Sequence, residues 1–415
     1  MVWLKILALL TLIGVLIPTK IKVGYVLLIA AVAVSLLFGQ SGPVGSLFDA
    51  AKAAWLAVTP TRDGVEFWQL LVIVLSIIML EKILQETENI TELIEALRSI
   101  FGTSRAALAG LPAIIGLFPS PGGALLSAPM VEKAAEKLDI SAHKKTLINY
   151  WFRHVWEYTL PLYPGVIMIA QITALPLRKI ILANLALTIV AILVGILYCL
   201  RGVQEGRVEA RVSSSKAVLS IVVALLPLLF IVVVNVGFGV NLELAVPALV
   251  LSLVGVQVVP WPTVWKVVRA TVSFETVLLV AGVVIFKRML EVFDVARGVA
   301  PALSSAGAPV ALILFLVPGV IGFLSGYMLA PITICTPLLL VFLRPAGATE
   351  ADPILAMFLY AGSHTGVMLS PVHLCLALTR EYFHADLKKV YLSLAIPMGA
   401  VVATATAVLV VCRHL

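Results

Sequence analysis

Three residues that a membrane span rarely tolerates, Arg153, His154 and Glu157, fall in the apolar run Tyr150–Lys179. A charge at the bilayer centre costs about 2.5–3.5 kcal/mol on insertion scales, so such residues call for a chemical reason. The Arg153 guanidinium could hold a carboxylate, while Glu157 and His154 could carry a coupling proton. The bland alternative is structural: on a continuous helix Arg153 and Glu157, four residues apart, share a face and neutralise each other. A second set follows in Tyr360–Lys389, where His364 and Thr365 precede Pro371 and His373 follows it. The register repeats, because His154, Pro161 and Lys179 recur as His364, Pro371 and Lys389, each 210 residues later. A membrane histidine on its own is more often a hydrogen-bonded structural group than a relay. His154, His364 and His373 lie far apart with no metal-ligand spacing. The four cysteines, Cys199, Cys335, Cys375 and Cys412, form no CxxC pair and read as small packing residues, so neither a metal nor a cofactor is expected.

The other residues able to do chemistry are small. In GLFPSPGGALLSAPM, Pro119, Pro121, Gly122 and Gly123 would break a helix, and about twelve apolar residues on either side are too few to cross a core needing roughly twenty. That pattern predicts a re-entrant hairpin over 106–138, and FLSGYMLAPITICTP predicts a second over 310–343. Pro112 and Gly116 recur as Pro318 and Gly322, 206 residues later. Breaking a helix inside lipid leaves N–H groups unpaired at one end and C=O groups at the other, which favour an anion and a cation respectively. Ser120, Gly122, Gly123 and Ser127 from the first tip, with Ser325, Gly326 and Thr333 from the second, are small enough for a ligand to approach the backbone. The same residues also serve close helix packing.

These groups need a membrane bundle to position them. Hydrophobic residues make up 61% of the 415 and charged residues 12%, and the mean hydropathy is +1.10; a soluble core has no use for such a composition. The net charge of +7 comes from basic residues scattered between apolar runs, where the positive-inside bias places them, and nucleic-acid binding is not expected. Spans are expected over Val2–Pro18, Val23–Gly39 and Phe67–Leu84, with Leu47–Val58 lying in the interface and ETENITELIEALRSIFGTSR as a solvated connector. A broken span over 150–172, interrupted at TLPLYPG, and a span over Ile180–Leu200 complete a first half, residues 1–200. The polar linker 201–216 leads to a second half, 217–415, with spans over Ala217–Asn235, Leu242–Val259 and Phe274–Met289. An interfacial WPTVWKVVRA lies between the last two, and a broken span over 354–378 and a last span over Val390–Val411 follow the second hairpin.

Five spans and one re-entrant hairpin per half, ten spans in total, put the halves in opposite orientation, as an all-α polytopic membrane protein built from two inverted-topology repeats. A cytoplasmic linker gathers Lys20, Lys22, Arg98, Lys133, Lys144, Lys145, Arg380 and Lys389 on one side of the cell membrane and puts both termini outside.

Through GLFPSPGGALLSAPM, YWFRHVWEYTLPLYPG and GSHTGVMLSPVH the chain resembles the ion transporter superfamily of secondary carriers. Within it, the chain is similar to an uncharacterised prokaryotic integral membrane family related to gluconate permeases, over nearly its whole length. The resemblance implies a scaffold domain near the first two spans of each half and a transport domain holding hairpins and broken spans. It also implies elevator-type movement and a homodimer. Where sodium-coupled dicarboxylate carriers of the superfamily have a Ser-Asn-Thr hairpin signature, this chain has SPGG and SGYM. The expected function is secondary active transport of a small anionic solute, a carboxylate, coupled to a proton or sodium ion. The substrate-binding candidates are Ser120, Gly122, Gly123, Ser127, Ser325, Gly326, Thr333, Arg153, His364 and Thr365; the ion-coupling candidates are Glu157, His154 and His373. A carrier of a lipid-linked phosphate could use the same helix ends and Arg153. An intramembrane enzyme is the weaker competitor, because no HExxH, GxSxG or paired-Asp arrangement appears.

Overall fold

The computed structural model describes residues 2–19, 21–59, 65–86, 104–118, 123–136, 138–205, 214–256, 258–295, 309–344 and 348–414. Among these there is helix and no strand. In chain order the helices are α1 (Val2–Leu16), α2 (Val23–Phe38), α3 (Gly42–Val58), α4 (Val65–Glu86), α5 (Ser104–Ile115), α6 (Ala124–Ala134), α7 (Ala142–His154), α8 (Pro164–Thr173) and α9 (Leu177–Val194, continued by a π turn to Cys199). They continue as α10 (Ser214–Val232, with a π turn Val233–Gly237), α11 (Leu242–Gly255), α12 (Trp261–Thr271), α13 (Phe274–Val292), α14 (Val310–Ser325), α15 (Leu329–Leu338), α16 (Leu340–Leu343), α17 (Pro353–Leu369), α18 (Leu374–Tyr382) and α19 (Leu387–His414).

The helix boundaries follow from local chemistry. Proline opens α3, α8, α12 and α17, where its missing N–H costs nothing and its fixed φ suits a first turn. Asp352 caps α17, its Oδ1 accepting from the N–H groups of Ile354 at 2.7 Å and Leu355 at 3.4 Å. Helix α7 stops at His154, five residues before the expected TLPLYPG interruption, and α8 begins at Pro164; α17 stops at Leu369 and α18 begins at Leu374. Hairpin-like pairs also flank both expected tips, α5 with α6 and α14 with α15. Residues 119–122 of the first tip, and with them Ser120 and Gly122, lie outside the described residues, as do most of the expected connector and residues 206–213 of the linker.

Outward faces identify the solvent. On α9, Leu182, Leu185, Ile189, Leu193 and Ile196 are exposed at helical spacing, while Ile180, Asn184, Leu187, Thr188 and Ala191 face inward. Helix α10 likewise exposes Leu219, Val222, Val223, Leu226 and Phe230. A continuous apolar stripe turned away from the core suits lipid and not water. Glu66–Leu84, Leu177–Cys199 and Leu387–Arg413 are each long and apolar enough to cross a bilayer, and α12 with α13, bent by 42°, would make a fourth crossing. Helices α1, α2 and α11, at three other expected spans, are shorter. With 16 residues, α2 reaches only about 24 Å at 1.5 Å per residue, against a hydrocarbon core of about 30 Å.

Packing between the halves is reciprocal. Helix α2 packs on α13 while α4 packs on α11, and α6 packs on α18 while α15 packs on α8. Helices α9 and α19 pack on each other. Glycine sets the closest seams, since a side chain there would meet opposing backbone: a Cβ on Gly24 would stand 2.9 Å from the Leu278 carbonyl carbon, and one on Gly282 2.8 Å from the Gly24 oxygen. Along α14 and α17, Gly319, Gly322, Gly362 and Gly366 interlock in the same way. Ion pairs tie α12 and α13 to α4 at the rim, Lys266–Glu86 and Lys287–Glu66, both at 2.7 Å, and Lys22 pairs with Glu275. The more exposed of these pairs, such as Lys266–Glu86, contribute little to stability.

Candidate functional site

The two helix breaks cross at the centre of the bundle. The last turn of α7 delivers Tyr150, Arg153 and His154, and the non-helical turn after it brings Glu157 and Tyr158 back against α17. From the other half come Tyr360 and His364 on α17, His373 in the break, and Cys375 in the first turn of α18. Arg153 and His154 are each 2% exposed, His364 1% and Glu157 9%, so the cluster is closed to solvent.

Glu157 is the hub of this cluster. Its Oε2 stands 3.3 Å from His364 Nε2 and its Oε1 3.8 Å from His154 Nε2. Of the two alternatives for Arg153 and Glu157, a continuous helix face joining them is absent, because α7 ends at His154 and Glu157 lies beyond it, in ion-pair range of His154 and His364. Arg153 turns instead to the first hairpin. Its Nη1 donates to the Tyr163 hydroxyl at 2.8 Å and its Nη2 to the Phe118 carbonyl at 3.3 Å, while Tyr163 donates to the Gly116 carbonyl at 2.6 Å. Those carbonyls belong to the C-terminal end of α5, where helix geometry leaves acceptors without partners and a cation is favourable.

Histidines 154 and 373 meet although 219 residues separate them. His154 Nδ1 lies 2.6 Å from the Tyr150 carbonyl and His373 Nδ1 2.9 Å from the Gly326 carbonyl, leaving the two Nε2 atoms 3.2 Å apart. Sequence distance hid this neighbourhood: one ring nitrogen each of His154 and His373 and the Cys375 Sγ all lie within 4.8 Å of one another. Sequence spacing reports neighbours on one helix, and this group is assembled from two halves of the chain.

Two tyrosines lock the crossing. Tyr150 donates to the Met368 carbonyl at 3.0 Å and Tyr360 to the Glu157 carbonyl at 2.5 Å. The two occupy equivalent positions, 210 apart, and each hydroxyl satisfies an acceptor freed by the other half's break.

The remaining sequence candidates divide. Gly326 closes α14 in the left-handed region, φ +62°, and a Cβ there would stand 2.7 Å from the His373 backbone nitrogen; the close approach its glycine permits is to the second break. Ser325 donates to the Gly322 carbonyl and accepts from the Tyr327 N–H, capping the same turn. Ser127 and Thr333 are buried with their hydroxyls donating within their own helices, to Ala124 and Leu329, so neither is gathered into the cluster. Gly123 is buried at the N-terminus of α6. The buried Thr365 hydroxyl and both ring nitrogens of His364 lack hydrogen-bond partners among the described residues, with Glu157 in ion-pair range of His364.

Sequence reasoning missed Tyr150, Tyr360, Cys375 and Asn149. Asn149 is buried and joins α6 to α18, donating to the Ala124 carbonyl at 2.9 Å and the Thr379 hydroxyl at 3.2 Å. The 210-residue register that paired His154 with His364 also pairs the two tyrosines and could have found them. Cys375, two residues after His373, left only that short spacing as a signal.

The chain belongs to the DUF401 family, described as proteins of unknown function, whose model matches residues 6–412. No curated protein matches it.

Proposed function

We propose that this protein is a secondary active transporter in the cell membrane that moves a small organic anion, a carboxylate, coupled to a proton or sodium ion. One observation carries the reading: a closed cluster of Glu157, His154, His364 and Arg153 sits where two interrupted helices cross. Burying such groups in lipid and breaking two helices there is costly, and carriers meet that cost where broken helices face a solute and its coupling ion. In this reading Glu157 receives the coupling cation. Arg153, which anchors the end of α5, supplies positive potential, and the carboxylate docks at the N-terminus of α6.

Reciprocal packing of α2 with α13 and α4 with α11, and of each hairpin's second helix with the opposite break, supports two inverted repeats. Ten spans, both termini outside, an elevator-type transport domain and a homodimer belong to the same proposal. Exposure of only a few per cent at Arg153, His154 and His364 fits an occluded state, from which movement must open the site to either side.

Reconstitution tests it. In proteoliposomes, mono- and dicarboxylates are expected to accumulate under an imposed proton or sodium gradient. Glu157→Gln is expected to lose accumulation while still exchanging solute across the membrane. The proposal falls if no carboxylate accumulates under either gradient, or if Glu157→Gln accumulates it as the parent does.

A further inference from the structure

The geometry points to a transition-metal site of the zinc class, held by His154 Nε2, His373 Nε2 and Cys375 Sγ and joining the two helix breaks. The argument begins with the far nitrogens. Each Nδ1 faces a backbone carbonyl, His154 that of Tyr150 and His373 that of Gly326. A carbonyl only accepts, so each Nδ1 carries the ring proton and each Nε2 of a neutral imidazole presents a lone pair. The two lone pairs then face each other across 3.2 Å. Two acceptors at that distance repel unless a cation lies between them.

The separation suits a metal. Two imidazole nitrogens at about 2.0–2.1 Å from a tetrahedral ion stand about 3.3 Å apart, against the 3.2 Å observed. A thiolate at about 2.3 Å on the same ion would lie roughly 3.6 Å from each nitrogen, inside the 4.8 Å that bounds the three ligand atoms. Both imidazoles already have the supporting bond that metal-bound histidines use, an Nδ1–H donated to a fixed acceptor, which holds the ring and its tautomer. Glu157 Oε1 lies 3.8 Å from His154 Nε2, and the fourth position is left for a carboxylate or water. A nitrogen and sulfur donor set selects zinc, cobalt or copper over magnesium or calcium.

This site goes beyond the transport reading and is read without transport. The full-length protein, purified in detergent, is loaded with cobalt(II), and its absorption is recorded with the metal edge spectrum of the zinc-loaded form. Expected are tetrahedral d–d bands, a thiolate-to-cobalt charge-transfer band, and nitrogen plus sulfur scatterers in the zinc spectrum. Cys375→Ser should abolish the charge-transfer band, and His373→Ala should weaken metal affinity at least about tenfold, the scale seen for even supporting groups. Cys335→Ser, at a buried cysteine elsewhere, should change neither. An absence of sulfur scatterers and of the charge-transfer band in the parent protein overturns the site, whatever the variants do, and leaves a proton bridging the two imidazoles. Retention of the band in Cys375→Ser overturns it equally. Carboxylate accumulation by a protein lacking these signals would leave the transport proposal standing.

Discussion

Removing the two hydroxyls that cross-link the helix breaks, Tyr150→Phe and Tyr360→Phe, should destabilise the fold by an amount the geometry sets. Hydrogen bonds between side chains in helical membrane proteins average about 0.6 kcal/mol and reach about 1.7, because the unfolded chain in the bilayer finds other partners. The bonds here lie at the upper end of that range. Their acceptors, the carbonyls of Met368 and Glu157, stand at interruptions where no helical N–H arrives, and both tyrosines are fully buried. A buried acceptor left alone costs about 1–3 kcal/mol. We therefore expect about 1–2 kcal/mol for each variant and roughly the sum for the pair, read from reversible unfolding of the detergent-solubilised protein in SDS. Tyr391→Phe is the internal control. Its hydroxyl is buried and has no hydrogen-bond partner among the described residues, so its removal should be neutral or slightly stabilising. Equal losses at Tyr391 and Tyr360, or no loss at Tyr150 and Tyr360, would refute the claim that these bonds join the breaks.

Two smaller predictions concern the frame around the site. Gly366→Leu should prevent α14 and α17 from closing, since a Cβ at 366 falls on the Gly319 carbonyl oxygen and the obstacle is backbone. A loss of at least about 1–3 kcal/mol is expected, and unchanged SDS unfolding would show that the two helices part easily. Asp352→Ala should cost about 1 kcal/mol through the lost cap of α17, while Asp352→Asn should retain most of it; equal losses would point to charge, not capping.

The composition alone required a membrane bundle, and the glycines and prolines located its interruptions. Pro371 follows directly on the end of α17, and Pro164 opens α8, for reasons internal to a few residues, whereas the stop of α7 at His154, ten residues before Pro164, had no such local signal. Glycine 116 and Gly322, read from a 206-residue recurrence, turn out to face equivalent carbonyls, those of Arg153 and Ser363. Individual site residues were less legible. Ser127 and Thr333 looked suitable for a ligand because they are small and polar, yet a hydroxyl in a helix can turn back to its own backbone, and here both do. Arg153 and Glu157 looked like a pair because spacing assumes an unbroken helix; where the helix ended, their partners changed.

What the sequence by itself determined is thus local: apolar runs, where they stop, and which costly residues they contain. The tertiary structure decided which of those residues meet. His154 and His373 are 219 positions apart, and only the crossing of two broken helices brings their Nε2 atoms to 3.2 Å, with Cys375 beside them. Periodicity describes one helix at a time, while this cluster exists only because an interruption in each half frees a turn to cross the other.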